Sequence, residues 1–382
     1  MWKAEGKIEA NSLFIQEEMT WKELDVNRFN QITAKVVVDV RSPIEFEKEC
    51  IPGAINVPLL SDSERETIGI VYKQEGEFKA RKLALKVVAP KIPDIVNRII
   101  ELKRDNHTLV VHCWRGGMRS EAVVSFLSLM GVDCWRLSGG YKAWRRTLLD
   151  KFEKDDYLFK TVVLDGLTGV GKTEVLSELE RLGMAVLDLE KLANHRGSVF
   201  GGLGLCEQPS QKNFDASIWR ELASKDGDLF LFMEAESKKL GKLSLPDFLY
   251  NRIQNGKKVL LTSALEDRVI RIQKEYKLHE HVDELLKVLN SATTFKVRLS
   301  KEKVAQLSDY LSHGECEKFI SVMLRDYYDP LYSRHIDRFN PQLTVCSKDP
   351  DEAVRVISNW LLSTSAGKEG PVDSPAPSPR PS

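Results

Sequence analysis

The sequence predicts an α/β protein built as two consecutive parallel-sheet domains. Three observations carry that prediction. Short β-branched, apolar runs alternate with stretches of helical spacing, the pattern of parallel strands covered on both faces by helices. The alternation restarts after a charged stretch, Asp150–Asp156. Finally, each half holds one glycine-bearing loop set between an apolar strand and a helix, where backbone N–H groups converge on anions.

In the first half, Lys35–Val40, Ile55–Leu59, Leu109–His112 and Cys134–Leu137 read as strands. Helical spacing predicts helices over Phe78–Ala89, Ile92–Lys103, Arg119–Met130 and Gly140–Leu149. Asp150–Asp156 is expected to be a linker, which gives an N-terminal extension at 1–20, a first domain at 21–150 and a second at 151–362. In the second domain the run TVVLDG from Thr161 is a strand, followed by a glycine-rich turn and a helix from Lys172. Further strands are expected at Ala185–Leu189, Leu229–Met233, Lys258–Thr262 and Leu343–Cys346. Helices are expected at Pro246–Gln254, Glu266–Tyr276, Lys301–Leu311, Glu317–Ile336 and Asp351–Leu362. Residues 363–382, ending PVDSPAPSPRPS, have the composition of a disordered tail.

Composition narrows the function classes. A chain of 382 residues can bury two ordinary cores, and 42% hydrophobic with 29% charged residues fits a soluble globular protein. No run approaches the ~18 apolar residues of a membrane span. The N-terminus carries Glu5, Glu9, Glu17 and Glu18 and lacks the layout of a secretory or transit segment, so a cytoplasmic location is expected. The cysteines at 50, 113, 134, 206, 316 and 346 form no Cys-x-x-Cys pair, which speaks against a zinc ribbon or thioredoxin motif and for reduced thiols. Formal net charge is zero, so RNA binding would need a local basic face. Gly76–Arg104 offers one, with eight basic residues (Lys79, Arg81, Lys82, Lys86, Lys91, Arg98, Lys103, Arg104) against three acidic ones. The alternative there is a solvated helical face.

The segment VVHCWRGGMRSEAVVSFL reads as a buried strand ending at His112, a loop from Cys113 to Arg119, and a helix. Gly116 and Gly117 would allow the positive φ angles of a tight curl. Inward backbone N–H groups, the positive end of the next helix, and Arg115 and Arg119 would cradle an anion, with Trp114 and Met118 completing the loop. A thiolate at its centre is stabilised and nucleophilic at neutral pH. Cys113 is therefore the expected catalytic residue, and the cradle suits selenophosphate, thiosulfate or phosphate. Trp114 could stack on an RNA base or pack against the sheet.

These residues resemble a rhodanese domain. VVVDVRSPIEFEKECIPGAINVP is similar to the family's first signature through Asp39, Arg41, Glu45, Pro52, Gly53, Ala54 and Asn56. LSGGYKAW is similar to its closing one through Gly139, Gly140 and Trp144, while Cys50 stands where the family often has His. The loop also fits the His-Cys-x5-Arg-Ser pattern of cysteine-dependent phosphatases (His112, Cys113, Arg119, Ser120), although no general acid can be placed from sequence.

In the second domain, Gly166-Leu-Thr-Gly-Val-Gly171-Lys172-Thr173 matches the P-loop motif between strand and helix. Gly166, Thr168, Gly169, Gly171, Lys172 and Thr173 are the expected diphosphate-binding residues, with Mg²⁺ on Thr173 if a nucleotide binds. Glu234, after the strand LFLFM, or Asp188 would be the acidic partner. DLEKLANHRGSVFGGLG gathers His195, Arg196, Gly197 and Ser198, which could hold a diphosphate or an RNA backbone, or belong to an ordinary flexible loop. FMEAESKKLGKLSLP by itself reads as a solvated charged turn.

Taken together with YYDPLYSRHI, these segments resemble the tRNA 2-selenouridine synthases, a family that fuses a rhodanese domain to a P-loop domain. The resemblance implies a tRNA-modifying transferase acting on wobble 2-thiouridine in tRNAs for Lys, Glu and Gln. It implies S-geranylation with geranyl diphosphate held at the P-loop, then replacement of the geranylthio group by selenium. The selenium would come from selenophosphate and travel on Cys113 as a selenylsulfide, with an enzyme that makes selenophosphate as a further partner. No tightly bound cofactor is implied beyond optional Mg²⁺. The competing readings are a sulfurtransferase or cysteine-dependent phosphatase fused to a P-loop small-molecule kinase, and a regulatory binding protein that has lost catalysis.

Overall fold

β-branched runs build both sheets. The computed structural model describes residues 21–366 except Asp226 and Ala292. The extension at 1–20, and the tail beyond Ala366, lie outside the described residues. The chain divides into two units between Lys154 and Asp155.

In the first unit the strands are β1 (Trp21–Leu24), β2 (Lys35–Asp39), β3 (Ile55–Asn56), β4 (Thr108–His112) and β5 (Cys134–Leu137). They pair in the order β1-β5-β4-β2-β3, and every pairing is parallel. Val36, Val38, Val110 and Val111 are buried, because helices cover the sheet on both sides. In the register of β2 and β4, Asp39 stands opposite His112. The two chains therefore leave the sheet side by side, with Val40 N–H donating to the His112 carbonyl at 3.0 Å. That places the loop after β4 next to Arg41 and the short helix Pro43–Lys48 that carries Glu45.

Three helices here were not expected. Val26–Gln31 and Pro43–Lys48 are six residues each, too short for periodicity to register. Asp62–Glu75 buries no residue, so it lacks an apolar stripe to read. The expected linker is mostly helical, although the boundary between the units falls inside it. The helix Gly140–Lys154 runs through most of Asp150–Asp156, because Leu148 and Phe152 continue its buried face at i, i+4 spacing. The charges lie on its other side.

The second unit contains β6 (Lys160–Asp165), β7 (Ala185–Leu187), β8 (Phe230–Glu234), β9 (Lys239–Leu240), β10 (Leu243–Ser244), β11 (Lys257–Thr262) and β12 (Leu343–Cys346). Its main sheet is parallel in the order β12-β11-β6-β8-β7, with β6 central. The expected charged turn contains the small antiparallel hairpin β9–β10. A second, helical core gathers Leu285, Leu289, Phe295, Leu307, Phe319 and Met323.

The single helix expected over Glu317–Ile336 is broken. Cys316–Met323 passes into a π-helical turn, Leu324–Tyr328, before the helix Asp329–Phe339. Pro330 has no N–H for a continuous ladder. The last helix, Pro350–Ala366, continues past the tail boundary set at Leu362, because the polar residues after it are compatible with an exposed final turn.

Candidate active sites

Each unit holds one site, formed where its central strands end. In the first unit Cys113 directly follows β4, and it is 3% exposed. Its Sγ lies 3.3 Å from Ser120 Oγ and 3.8 Å from the Gly117 carbonyl. The helix Met118–Leu129 starts one residue earlier than expected, with Gly117 as its N-cap. Its first N–H groups, which have no intrahelical partner, therefore belong to the loop.

The loop's curl depends on two glycines, one of them outside it. Gly116 has φ +63°, and a Cβ there would stand 2.6 Å from the Leu137 carbonyl oxygen. Gly140 has φ +57°, and a Cβ there would come within 2.3 Å of the Cys113 carbonyl oxygen. Tyr141 and Lys142 N–H groups donate to the Cys113 and Trp114 carbonyls, both at 2.9 Å. The closing signature is thus the floor of the cysteine loop. Gly117 does not follow expectation: its φ is −97°, and a Cβ there would meet nothing within 4 Å. One left-handed residue is enough for the turn.

Trp114 is half-buried and stacks on Tyr141 at 5.6 Å between ring centroids. Arg115 and Met118 are exposed. Arg119 is held by Glu45, with Nη1 donating to Oε2 at 2.6 Å, and Arg65 donates to the same oxygen at 2.9 Å. Burial is the largest single influence and acts to raise the Glu45 carboxyl, but Arg119, Arg65 and the Ser42 N–H together outweigh it and hold the group below its usual range. Glu45 is the acidic residue beside the loop that sequence could not place there. Kept ionised, it is unsuited to be the general acid of a phosphatase.

Behind the loop, Asp39 and Arg41 form a fully buried pair at 2.6 Å, and Arg41 also donates to the Glu49 carbonyl at 2.5 Å. His112 is fully buried, and burial lowers its pKa. Neither auxiliary cysteine is poised for reaction. Burial pushes Cys134 up to about 12 and also raises Cys50, where Asp39 adds to the effect.

In the second unit Gly166, Thr168, Gly169, Gly171, Lys172 and Thr173 all line one cavity of about 1440 Å³. Gly166, Gly169 and Gly171 have positive φ, and the helix Lys172–Arg181 begins at the loop's end. Lys172 Nζ donates to the Gly166 carbonyl at 3.4 Å, and Thr173 Oγ1 donates to Glu234 Oε1 at 3.0 Å. Burial opposes the Lys172 charge, but Glu234, Glu190, Asp165 and Glu236 outweigh it and raise its pKa.

Glu234 thus stands where an acidic partner was expected, and two carboxylates join it. Ligand oxygens of Glu190, Glu234 and Glu236 lie within 4.8 Å of one another. Burial first, then its acidic neighbours, pushes Glu190 up to about 10, and burial pushes Glu234 up to about 7. Asp188 has another role: it caps the helix Leu189–Ala193 by accepting from Lys191 N–H at 2.8 Å.

Arg196, Gly197 and Ser198 line the cavity, but His195 is not among its lining residues. The His195 ring instead accepts from Gly197 N–H at 3.2 Å and packs on Gly201. The loop is anchored by Phe200 and Leu203 in the helical core, so it is not an ordinary flexible loop. Arg196 pairs with Glu275 at 2.9 Å and covers the Tyr276 ring.

Sequence reasoning missed Glu190, Arg271, Tyr276 and the part Asp329 plays. Arg268 donates to the Thr168 carbonyl at 2.8 Å and grips Asp329 with its other two nitrogens. The conspicuous Tyr-Asp-Pro segment thereby braces the P-loop from behind. Only Asp329 stood out in the sequence, with nothing to indicate its partner.

The tRNA 2-selenouridine synthase AAA domain family matches residues 159–364, and the Rhodanese-like domain family matches residues 21–147. The chain belongs to the tRNA 2-selenouridine synthase family. A tRNA 2-selenouridine synthase of Pseudomonas syringae pv. syringae (strain B728a) is 35% identical over 324 residues, 78% of this chain and 87% of the relative. One of Cupriavidus pinatubonensis is 34% identical over 363 residues, 86% and 95% of the two chains. One of Sulfurovum sp. (strain NBC37-1) is 33% identical over 328 residues, 79% and 89%. Membership of this family makes the chain an enzyme of the transferase class.

Proposed function

We propose that this enzyme converts wobble 2-thiouridine of tRNAs for Lys, Glu and Gln to 2-selenouridine, by S-geranylation followed by selenium transfer. The observation that carries the reading is the pairing, in one chain of this family, of a cysteine-centred anion loop with a P-loop cavity. In the first step the thione sulfur attacks C1 of geranyl diphosphate, the C–O bond breaks and pyrophosphate leaves. The uridine ring gives up its N3 proton, and C2 becomes an isothiourea-like centre from which a thiol can leave. In the second step the Cys113 thiolate attacks the phosphorus of selenophosphate and the P–Se bond breaks, freeing selenide. The selenide attacks C2, the C2–S bond breaks and geranyl thiol departs. Water then cleaves the Cys113 S–P bond to give phosphate, with no change of oxidation state.

The residues support these roles. The P-loop glycines, Lys172 and the helix N-terminus suit a diphosphate, and Arg196 and Arg271 add cationic wall to the same cavity. Thr173, Glu190, Glu234 and Glu236 form an all-oxygen donor set that fits Mg²⁺. When bound, that ion would neutralise charge on the departing diphosphate. At the other site, Ser120 and the N-terminal end of Met118–Leu129 face the Cys113 sulfur and suit an incoming selenophosphate. Lys82, Lys86 and their basic neighbours belong to the same unit as Cys113 and suit RNA phosphates. An enzyme that supplies selenophosphate would be a partner. Among the described residues no helix is long and apolar enough to cross a membrane, and a substrate of this kind places the work in the cytoplasm.

Mass spectrometry of nucleosides tests the scheme, using 2-thiouridine tRNA treated with the full chain, geranyl diphosphate and selenophosphate. Cys113→Ala should accumulate S-geranyl-2-thiouridine, and Lys172→Ala should impair geranylation itself. Absence of both products with the intact chain would refute the scheme.

A further inference from the structure

The P-loop cavity has an apolar annex that a nucleotide would not need. Thr168, Ser198, Ile272 and Tyr276 line both the main cavity and a second, narrow pocket of about 40 Å³. The mouth lies directly against the P-loop: a Cβ on Gly169 would stand 2.8 Å from Ile272 Cδ1. Beyond the mouth the walls come from the helical core, with Phe200, Leu285, Phe319, Ile320 and Met323 all below 9% exposure. A buried water needs two to four polar partners. The shared polar side chains sit at the mouth and the one further polar group, the Tyr328 hydroxyl, interacts with Ser198 there, so the deep end is suited to hydrocarbon.

We propose that this pocket receives the hydrocarbon tail of a diphosphate ester whose head is bound at the P-loop, and that its blind end limits the length of that tail. The inference rests on the reading that the P-loop holds a prenyl diphosphate, and it adds the subsite that selects the chain. An apolar cavity of about 150 Å³ accommodates benzene, so a pocket of about 40 Å³ holds only a chain terminus. The preceding carbons then lie between Ile272 and Tyr276. Met323, unbranched and adaptable, is the wall residue best able to move around the terminus.

Calorimetric titration of the full chain with inorganic pyrophosphate and with dimethylallyl, geranyl and farnesyl diphosphates tests the pocket. Each buried methylene is worth about fourfold in affinity. Geranyl diphosphate should therefore bind on the order of tenfold or more tightly than pyrophosphate, with a more negative heat-capacity change, and farnesyl diphosphate should gain nothing further. Equal affinity across the series would overturn the pocket, and a continued rise to farnesyl would overturn the length limit. Met323→Trp, which fills the space, should abolish most of the geranyl advantage while leaving pyrophosphate binding unchanged. An undiminished advantage would overturn the assignment. If that variant does not fold, Phe319→Leu should let farnesyl gain on geranyl, and an unchanged ratio would count against the pocket. The two readings separate cleanly. A geranyl advantage without geranylated tRNA sinks the proposed reaction and leaves the pocket standing, whereas geranylated tRNA with a flat ligand series does the reverse.

Discussion

Asp329→Asn tests whether the brace behind the P-loop governs anion binding. Arg268 is almost fully buried, with 4% of its side chain exposed, while Asp329 keeps 29%. Breaking a fully buried pair costs about 3–5 kcal/mol, and an exposed pair is worth under ~1 kcal/mol. With water able to reach Asp329, a loss of about 2 kcal/mol is expected. In a domain of this size that shifts the melting temperature by about 4–8 °C. Asp329 is not among the residues lining the phosphate cavity, and neither is Arg268. The most direct route to ligand is the Arg268 bond to the Thr168 carbonyl, with Leu331 and Tyr332 of the helix Asp329–Phe339 also lining the cavity. Scanning calorimetry should show the shift in one transition, and titration should show pyrophosphate binding weakened by about tenfold, or 1.4 kcal/mol. A lowered melting temperature with unchanged pyrophosphate affinity would refute the reasoning, since the pair would then be structural only.

Three further outcomes follow from the geometry. Gly140→Ala should cripple the cysteine site, because its Cβ would collide with the Cys113 carbonyl in left-handed backbone; Gly117→Ala, with open space around it, should keep the fold, and circular dichroism with selenation assays will separate the two. Glu45 sits below its ordinary value of 4.5, so its stabilising contribution is present above that pH and is lost as pH falls below it. Glu45→Gln should flatten acid melting of the first unit over that range, and an unchanged acid limb would count against the Arg119–Glu45 bond as its source. Glu234 is raised to about 7, so its contribution is present below its ordinary 4.5 and is lost as pH rises through 7. Glu234→Gln should make the second unit more stable than the parent at pH 8 but not at pH 5, as read by thermal melts at both values.

Much of the fold was legible because its elements carry local signals. The runs at β2, β4 and β6 are buried along nearly their whole length, as central parallel strands must be, and the bounds of these and of β5, β11 and β12 shifted by no more than a residue or so. Elements with weak periodicity escaped: Asp62–Glu75 buries nothing, and the hairpin β9–β10 has two residues per strand. The charged stretch Asp150–Asp156 does hold the boundary between the units, but Phe152 keeps its first residues packed as helix.

By itself the sequence marked out the two candidate sites. Cys113 in its loop, and Gly166 to Thr173 in theirs, depend on backbone conformations encoded within a few residues by glycine, by strand-to-helix order and by the reactive side chain itself. Tertiary structure decided which distant groups act on those centres. Glu45 reaches Arg119 from 74 positions away, and Glu234 reaches Thr173 from 61. Gly140 shapes a loop it does not belong to, and the helical core leaves an apolar pocket beside the phosphate cradle. Such pairings depend on strand register and helix packing, which bring together residues that no local pattern connects.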